Sequence, residues 1–520
     1  MLTLIELTGH SLREGGVVTR CWATGRGWRT GSGDWPPNRI YDPRVTSAGL
    51  FERHCFGRGR FSGRSTIGRG DIILANPDGA LDGLGYDLAC AGWPVTIRRG
   101  PRAGRYPQDY PVMLTALAGG VTHTRNRVTI SLRDQQADIV DRWLVETEFK
   151  GDNVGPAGLE GDEQLKGRRK PTAFGVCRNI PLECVNKAKV IHLAVWNPDR
   201  ATNVPAVWAQ GAPIEQEAPY ASLAALQDDS ARPTAGKCRL YSAAPGGPVY
   251  IRYGSEPAEP TATVIVGSDA DNSRPALMRR LLTGPGAVPA AGVLGAAVLD
   301  RLTTAVAGIY SDSGGMKVGD ALDQLAEPGL WWLPDRLGRL RLGMLALPTG
   351  PAVAAFGPHN LLNIEPILSD GDEGMPLYGA KVEYGRNWTV QSGEPLGIVT
   401  DAPWRKLEFR TTPEAVDEAV ARRWPLAAAS RRVTLRTLLD REDDALAERA
   451  RALAWGRLEP KGYVLTVPVS DALAVDPADP AADTIRLAYP RWGLGDGRLF
   501  RVTGMTEDYS ANKTQLYVVG

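Results

Sequence analysis

The feature that most constrains this chain is short apolar–polar alternation cut off by glycine and proline. Arg127-Val128-Thr129-Ile130-Ser131-Leu132-Arg133 is the cleanest case, and Pro94 to Arg99 sets Val95 and Ile97 against Thr96 and Arg98. Successive side chains of a strand point to opposite faces, so such runs predict strands with one buried face. Asp71-Ile72-Ile73-Leu74 reads as another short strand. The turn Asn76-Pro77-Asp78-Gly79 follows it, with Pro77 presetting φ and Gly79 free to take φ > 0. With 59 glycines and 39 prolines in 520 residues, such breaks recur throughout, which favours a β-rich protein over a helical bundle. The opening residues MLTLIELTGHSLREGG lack a basic region followed by a long apolar stretch. They predict a strand, not a secretory signal.

The length suits about three to four domains. Residues 1–150 form the first β unit, and residues 151–260 a loop-rich β domain with strands at Val190–Val195 and Val249–Arg252. The run EPAEP at Glu256–Pro260 reads as a linker. Residues 261–350 predict a small α/β domain. Leu294, Val298, Leu302, Val306 and Ile309 fall at helical spacing, as do Val318, Leu322 and Leu325, and a hairpin follows around PDRLGR. Residues 351–520 return to β, with helical inserts at Glu414–Trp424 and Asp443–Leu458 and strands at Tyr463–Val469 and within Leu499–Val519. An internal echo links the ends of the two β regions. Arg125-Asn126-Arg127 and Ala511-Asn512-Lys513 each put Asn and a base before a closing strand, as a divergent barrel duplication would.

Sixty basic residues against fifty-nine acidic ones leave no global attraction for nucleic acid or an anionic membrane. The small-and-apolar stretch Ala287–Ile309 is broken by Asp300 and Arg301 and predicts no membrane span. Six cysteines without CxxC spacing read as free thiols of a reducing cytoplasm. The segment from Gly57 to Thr66 fails as a phosphate loop, because position 58 holds arginine where a glycine is required and Arg64 replaces the lysine. It reads instead as a basic loop whose Arg58, Arg60, Arg64 and Arg69 contact a partner protein. The acidic groups Glu160, Asp162 and Glu163, and Asp440 to Asp444, invite comparison with the carboxylate pair of a glycosidase. They read as solvated structural acids, the second group sitting at a helix N-terminus. Five scattered histidines predict no metal site, and no Gly-x-Ser-x-Gly elbow marks a hydrolase. Trp331-Trp332 on the hairpin predicts one buried and one exposed ring. No cofactor and no catalytic residue is expected.

The run GDIILANPDGALDGLGYDLACAGWPVTIRRG from Gly70 to Gly100 resembles the N-terminal region of tail hub proteins (baseplate hubs, tail-tip hubs) of long-tailed bacteriophages and prophages. Gly158 to Pro171 with Phe174-Gly175, and Tyr489 to Gly504 with the closing strand, resemble the same family in the same order. Cys90 and Trp93 depart from its pattern. The resemblance implies a mainly β, multidomain fold with two tube-like β-barrels, at 1–150 and 351–520, plus the loop-rich and small α/β domains. It implies a homotrimeric structural ring in the virion, assembled in the bacterial cytoplasm. That ring would join the distal tail protein to a central tip or fibre protein and line a channel for the tape-measure protein and for DNA in transit. It implies no membrane partner. A tail-borne cell-wall hydrolase and a receptor- or carbohydrate-binding tail protein are the alternatives.

Overall fold

The computed structural model describes residues 1–56, 65–68, 70–133, 136–152, 158–243, 245–348, 350–367, 375–391, 403–456 and 462–520. Its N-terminal alternating runs pair into a ring. Strand Leu2–Ser11 lies antiparallel between Gly16–Thr24 and Pro94–Gly100. The ladder continues through Val112–Thr124, Arg127–Arg133, Asp71–Ala75 and Ile40–Ser47. Ile40–Ser47 then pairs parallel with Gly16–Thr24 and closes a barrel of seven strands. The alternation sets the inner face, where Val128, Ile130 and Leu132 meet Ile5, Leu7, Ile72, Leu74, Val95 and Ile97. In the turn after Asp71–Ala75, Asn76 Oδ1 accepts the Leu81 N–H (2.8 Å), and Gly79 has φ +70°, as its position in the turn predicts.

The C-terminal sheet repeats this plan. In chain order, Asn363–Ile367, Gly462–Pro468, Thr484–Tyr489, Leu494–Asp508 and Lys513–Val519 correspond to Ile40–Ser47, Asp71–Ala75, Pro94–Gly100, Val112–Thr124 and Arg127–Arg133. In both sets the first strand pairs with the second, the second with the fifth, the fifth with the fourth and the fourth with the third, all antiparallel. The register agrees too. Counting back from the closing hairpin, five paired positions lead to a glycine, Gly120 or Gly504, and a β-bulge follows it in each repeat. The Asn echo acquires a reason: Asn126 O accepts the N–H of Asn76, and Asn512 O that of Val469, each the first residue beyond the second strand. The C-terminal sheet curls around its own core of Leu465, Val467, Ile485, Phe500, Val502, Leu516 and Val518. Its ladder runs from Ala354–Phe356 to Asn363–Ile367 without a closing pair among the described residues.

Between the repeats lies a two-sheet sandwich, more regular than the loop-rich reading. Thr172–Pro181, Thr202–Ala209 and Pro260–Val266 belong to one sheet, and Ile191–Val195, Lys237–Ser242 and Val249–Tyr253 to the other. Cys177, Ile180 and Val264 meet Val195, Cys238 and Ile251 in the layer between them. The run expected as a linker, Glu256–Pro260, stays within the sandwich: it carries the chain from Val249–Tyr253 in one sheet to Pro260–Val266 in the other.

Beside the sandwich is a helical unit with the expected hairpin, Leu330–Pro334 against Leu340–Met344. The first helical stripe holds only over Ala296–Leu302; Val306 and Ile309 are extended, and Gly308–Ser311 pairs with Thr172–Gly175. A short apolar run buried on both faces has no periodicity that separates helix from strand. Helix Arg274–Thr283 escapes sequence reading for a related reason: it is buried nearly all round and shows no clear stripe. The helix expected from Glu414 begins at Glu418, because Ala415–Val416 pairs with Gly379–Ala380 and the Asp417 side chain caps the N-terminus. Both Trp331 and Trp332 are buried, against expectation. The hairpin is sandwiched, with Trp332 against the helices and Trp331 in a second cluster with Cys55, Phe56 and Trp455.

Candidate functional site

Arg58, Arg60, Arg64 and Arg69 lie outside the described residues. The described parts of the same connection form a hairpin, Leu50–His54 with Thr66–Gly68, that leaves the N-terminal barrel and joins the other repeat. Leu50–His54 pairs antiparallel with Gly504–Asp508, adding a strand to the C-terminal sheet. This junction between the repeats combines strand pairing, a shared apolar core and buried ion pairs.

Its apolar part is interlocked. Tyr509 and Val469 of the C-terminal repeat complete the core of the N-terminal barrel, and Phe51 packs on Tyr509 with ring centroids 5.6 Å apart. The Tyr509 hydroxyl donates to Met113 O at 3.4 Å, and Arg99 donates to Tyr509 O (3.2 Å) and Asn512 Oδ1 (2.7 Å). Gly504 leaves room for the His54 ring: a Cβ built there would lie 2.1 Å from His54 Nδ1. Burial pushes the His54 imidazole below its ordinary pKa, outweighing the nearby Glu52 carboxylate.

Its polar part is a buried network of two arginines and two carboxylates. Glu507, with no exposed surface, receives Arg336 at 2.8 Å and Arg53 at 3.3 Å. Asp476 accepts from Arg53 (3.3 Å) and from the Arg336 backbone N–H (3.0 Å). Burial alone would raise the Asp476 carboxyl, but Arg53 and Arg336 outweigh it and hold the pKa below the ordinary value. Arg336 sits in the PDRLGR turn, which Asp335 fixes by accepting the Leu337 and Arg339 N–H groups. The Arg336 carbonyl in turn accepts the Thr115 N–H of the N-terminal barrel (2.8 Å). One turn thereby touches both repeats. In a buried ion network of this kind the cost of desolvating the charges offsets much of their attraction. The signal in sequence is faint: Arg53 and Glu507 are charges on β strands, and their partners stand far away along the chain.

The two acidic clusters are engaged in structural contacts. Glu160 accepts from Lys170 Nζ (2.9 Å), and Asp162 pairs with Lys187 (2.5 Å). Asp440 takes Arg178 in a bidentate pair at 2.5 and 2.8 Å, and Asp444 accepts the Val306 N–H (3.0 Å) at the start of helix Glu442–Gly456. Among the described residues no group of three His, Cys, Asp or Glu side chains could hold a metal ion, and no helix is long and apolar enough to cross a membrane. All six cysteines are unpaired.

No family model matches the chain, and no curated protein matches its sequence. Among solved structures it is similar to a tail protein from Neisseria meningitidis MC58, with 11% identity over 99% of this chain and 96% of that one and a TM-score of 0.37. It is also similar to the 43 kDa tail protein of prophage MuSo2 from Shewanella oneidensis (10% identity, 100% of this chain, 97% of that one, TM-score 0.36). A third is prophage tail protein gp18 from Listeria monocytogenes EGD-e (5% identity, 100% of this chain, 94% of that one, TM-score 0.38).

Proposed function

We propose that this chain is a structural, non-catalytic subunit of a bacteriophage tail: a hub at the distal end, in which three copies form a ring. The ring joins the distal tail protein to the central tip or fibre protein, and its channel passes the tape-measure protein and DNA. The observation that carries this reading is the duplication. One chain places two copies of the same five-stranded plan side by side and locks them with an exchanged strand and a buried ion network. Three chains then supply six units on one plan, the number a ring needs to meet a sixfold tube. The resemblance of the Gly70–Gly100, Gly158–Gly175 and Tyr489–Gly520 runs to tail hubs supplies the setting.

On this reading the units at 1–150 and 351–520 build the ring, while 151–260 and 261–350 stand outside it. The Arg58–Arg69 segment contacts a neighbouring tail protein. Assembly takes place in the host cytoplasm, with the virion tail as destination and no membrane partner. The test is imaging of tail particles carrying a tagged chain. Three copies in one layer at the distal end is the expected result; a dimer, a true hexamer or absence from the tail overturns the reading. A peptidoglycan zymogram tests the non-catalytic part, with a clearing zone lost on Glu160→Gln or Asp162→Asn as the contrary result.

A further inference from the structure

At the seam between the sandwich and the helical unit lies an open cavity of about 260 Å³. Its walls come from three pieces of chain: Glu146 and Thr147 before the sandwich, Phe174, Trp196 and Asp199 within it, and Arg280 of helix Arg274–Thr283. Each wall is pinned from behind. Arg169 donates to the carbonyls of Val145 and Glu146 (both 3.1 Å), and the Lys170 N–H donates to Thr147 O (3.0 Å). The Trp196 N–H donates to Pro171 O (2.7 Å), and its carbonyl accepts the Thr172 hydroxyl (3.2 Å). The buried Lys170 ammonium covers one face of the Trp196 ring, 3.8 Å from its centroid. Asp199 takes the Arg280 guanidinium side-on at 2.9 and 2.5 Å, and Phe174 lies against that guanidinium, 5.6 Å away. A partly apolar cleft between structural units, with a few fixed polar groups, has the makeup of a small-ligand site.

We infer that this cavity binds a pyranose sugar. The walls select among ligand classes. Arg280 is already engaged, by Asp199 at Nε and Nη2 and by Asp271 O and Asn272 Oδ1 at Nη1, both at 3.0 Å. It has little left for an anion, and the Glu146 and Asp199 carboxylates repel one. A cation gains from those carboxylates, but Lys170 already stands on Trp196 and opposes a second charge beside it. A wholly apolar ligand would dry the two carboxylates without replacing their hydrogen bonds to water. A pyranose meets each demand. Its C–H face is apolar and suits Trp196, Phe174 and Pro285, while its hydroxyls donate to Glu146 and Asp199 and accept from the Thr147 hydroxyl. Glu146 is free to turn to such a ligand, because its side chain is 73% exposed and meets Arg169 only at 3.5 Å. The walls are held before the ligand arrives, so binding orders few side chains. The site lies on the units that the ring reading places outside the ring, and does not depend on that reading.

The test is saturation-transfer NMR and calorimetry on the full chain. The probes are the methyl pyranosides of glucose, galactose, mannose and N-acetylglucosamine, with lysine methyl ester as the cation and inorganic phosphate as the anion. The expected result is saturable binding of at least one glycoside with a Kd on the order of 1 mM. Trp196→Ala is expected to weaken that binding by about tenfold or more through loss of the apolar wall. Glu146→Gln is expected to keep the melting temperature and to weaken binding by about tenfold, the worth of one charge-assisted hydrogen bond. Should Trp196→Ala fail to fold, Glu146→Gln decides. Trp492→Ala removes an exposed ring stacked on Tyr489 in the C-terminal repeat and is expected to leave binding unchanged. A disaccharide that binds as well as its terminal glycoside supports the site and marks a glycan end as the source; its exclusion supports the site and marks a free sugar. The inference is overturned by the absence of saturable glycoside binding, or by lysine methyl ester or phosphate binding more tightly than every glycoside. Binding that survives Glu146→Gln undiminished, or that is lost on Trp492→Ala, overturns it equally.

Discussion

His192 and Gly79 mark two extremes: the surroundings of His192 are set by a strand far along the chain, whereas the backbone of Gly79 is set by its own turn. His192 is buried in the sandwich edge-on to Tyr253, with ring centroids 5.2 Å apart, and burial pushes its imidazole down to about 4 from 6.5. A folded-state pKa below the unfolded value means that this stabilisation is fully present above pH 6.5 and is lost as pH falls through about 4. At 1.36 kcal/mol per unit, it amounts to about 3 kcal/mol. His192→Leu is therefore expected to flatten the fall in melting temperature between those pH values relative to wild type; parallel curves would contradict it. Gly79 holds φ +70° with Asp82 Oδ2 3.0 Å from the place of a Cβ. Gly79→Val is expected to cost about 1 kcal/mol or more in denaturant unfolding, since a β-branched residue resists the left-handed region.

Among the elements, the bulged strands of the two repeats offer an internal control. Gly504 and Gly120 occupy the same register, but a Cβ at Gly504 meets the His54 ring at 2.1 Å while one at Gly120 meets only Ser131 Oγ at 3.8 Å. Gly504→Ala is expected to destabilise by about 1–3 kcal/mol, as overpacking does. Gly120→Ala in the monomer is expected to change stability by less than about 0.5 kcal/mol. Equal melting temperatures for the two variants would refute the asymmetry. The hairpin around PDRLGR shows why such an element is only half legible in sequence. Its turn and register follow from local residues, whereas burial of both Trp331 and Trp332 requires cores on both faces, contributed by helices on one side and by Cys55, Phe56 and Trp455 on the other.

For the whole molecule, the exchanged strand and the shared core bind the two ends of the chain into one cooperative unit. Glu507 sits between Arg53 and Arg336, so Glu507→Ala leaves two buried guanidiniums short of a carboxylate. Breaking one partner of a buried ion network costs about 3–5 kcal/mol. Calorimetry is expected to give one transition for the two repeats in wild type and a lowered, broadened or divided one in the variant. An unchanged thermogram would mean that the network does not couple them.

By itself the sequence determined the β-rich, multidomain class, the strands at 71–74, 94–99 and 127–133, the Asn76–Gly79 turn and the hairpin spanning 331–342, because alternation and turn chemistry act over a few residues. The Asn126 and Asn512 echo marked the duplication but could not establish it: matching carbonyl contacts and a shared bulge register appear only once the ladders form. Only the tertiary structure decided that Leu50–His54 belongs to the far repeat and that Glu507 would be fully buried. Those outcomes depend on residues some 450 positions apart being brought into register, and no local pattern encodes which of two similar edges a strand will cover.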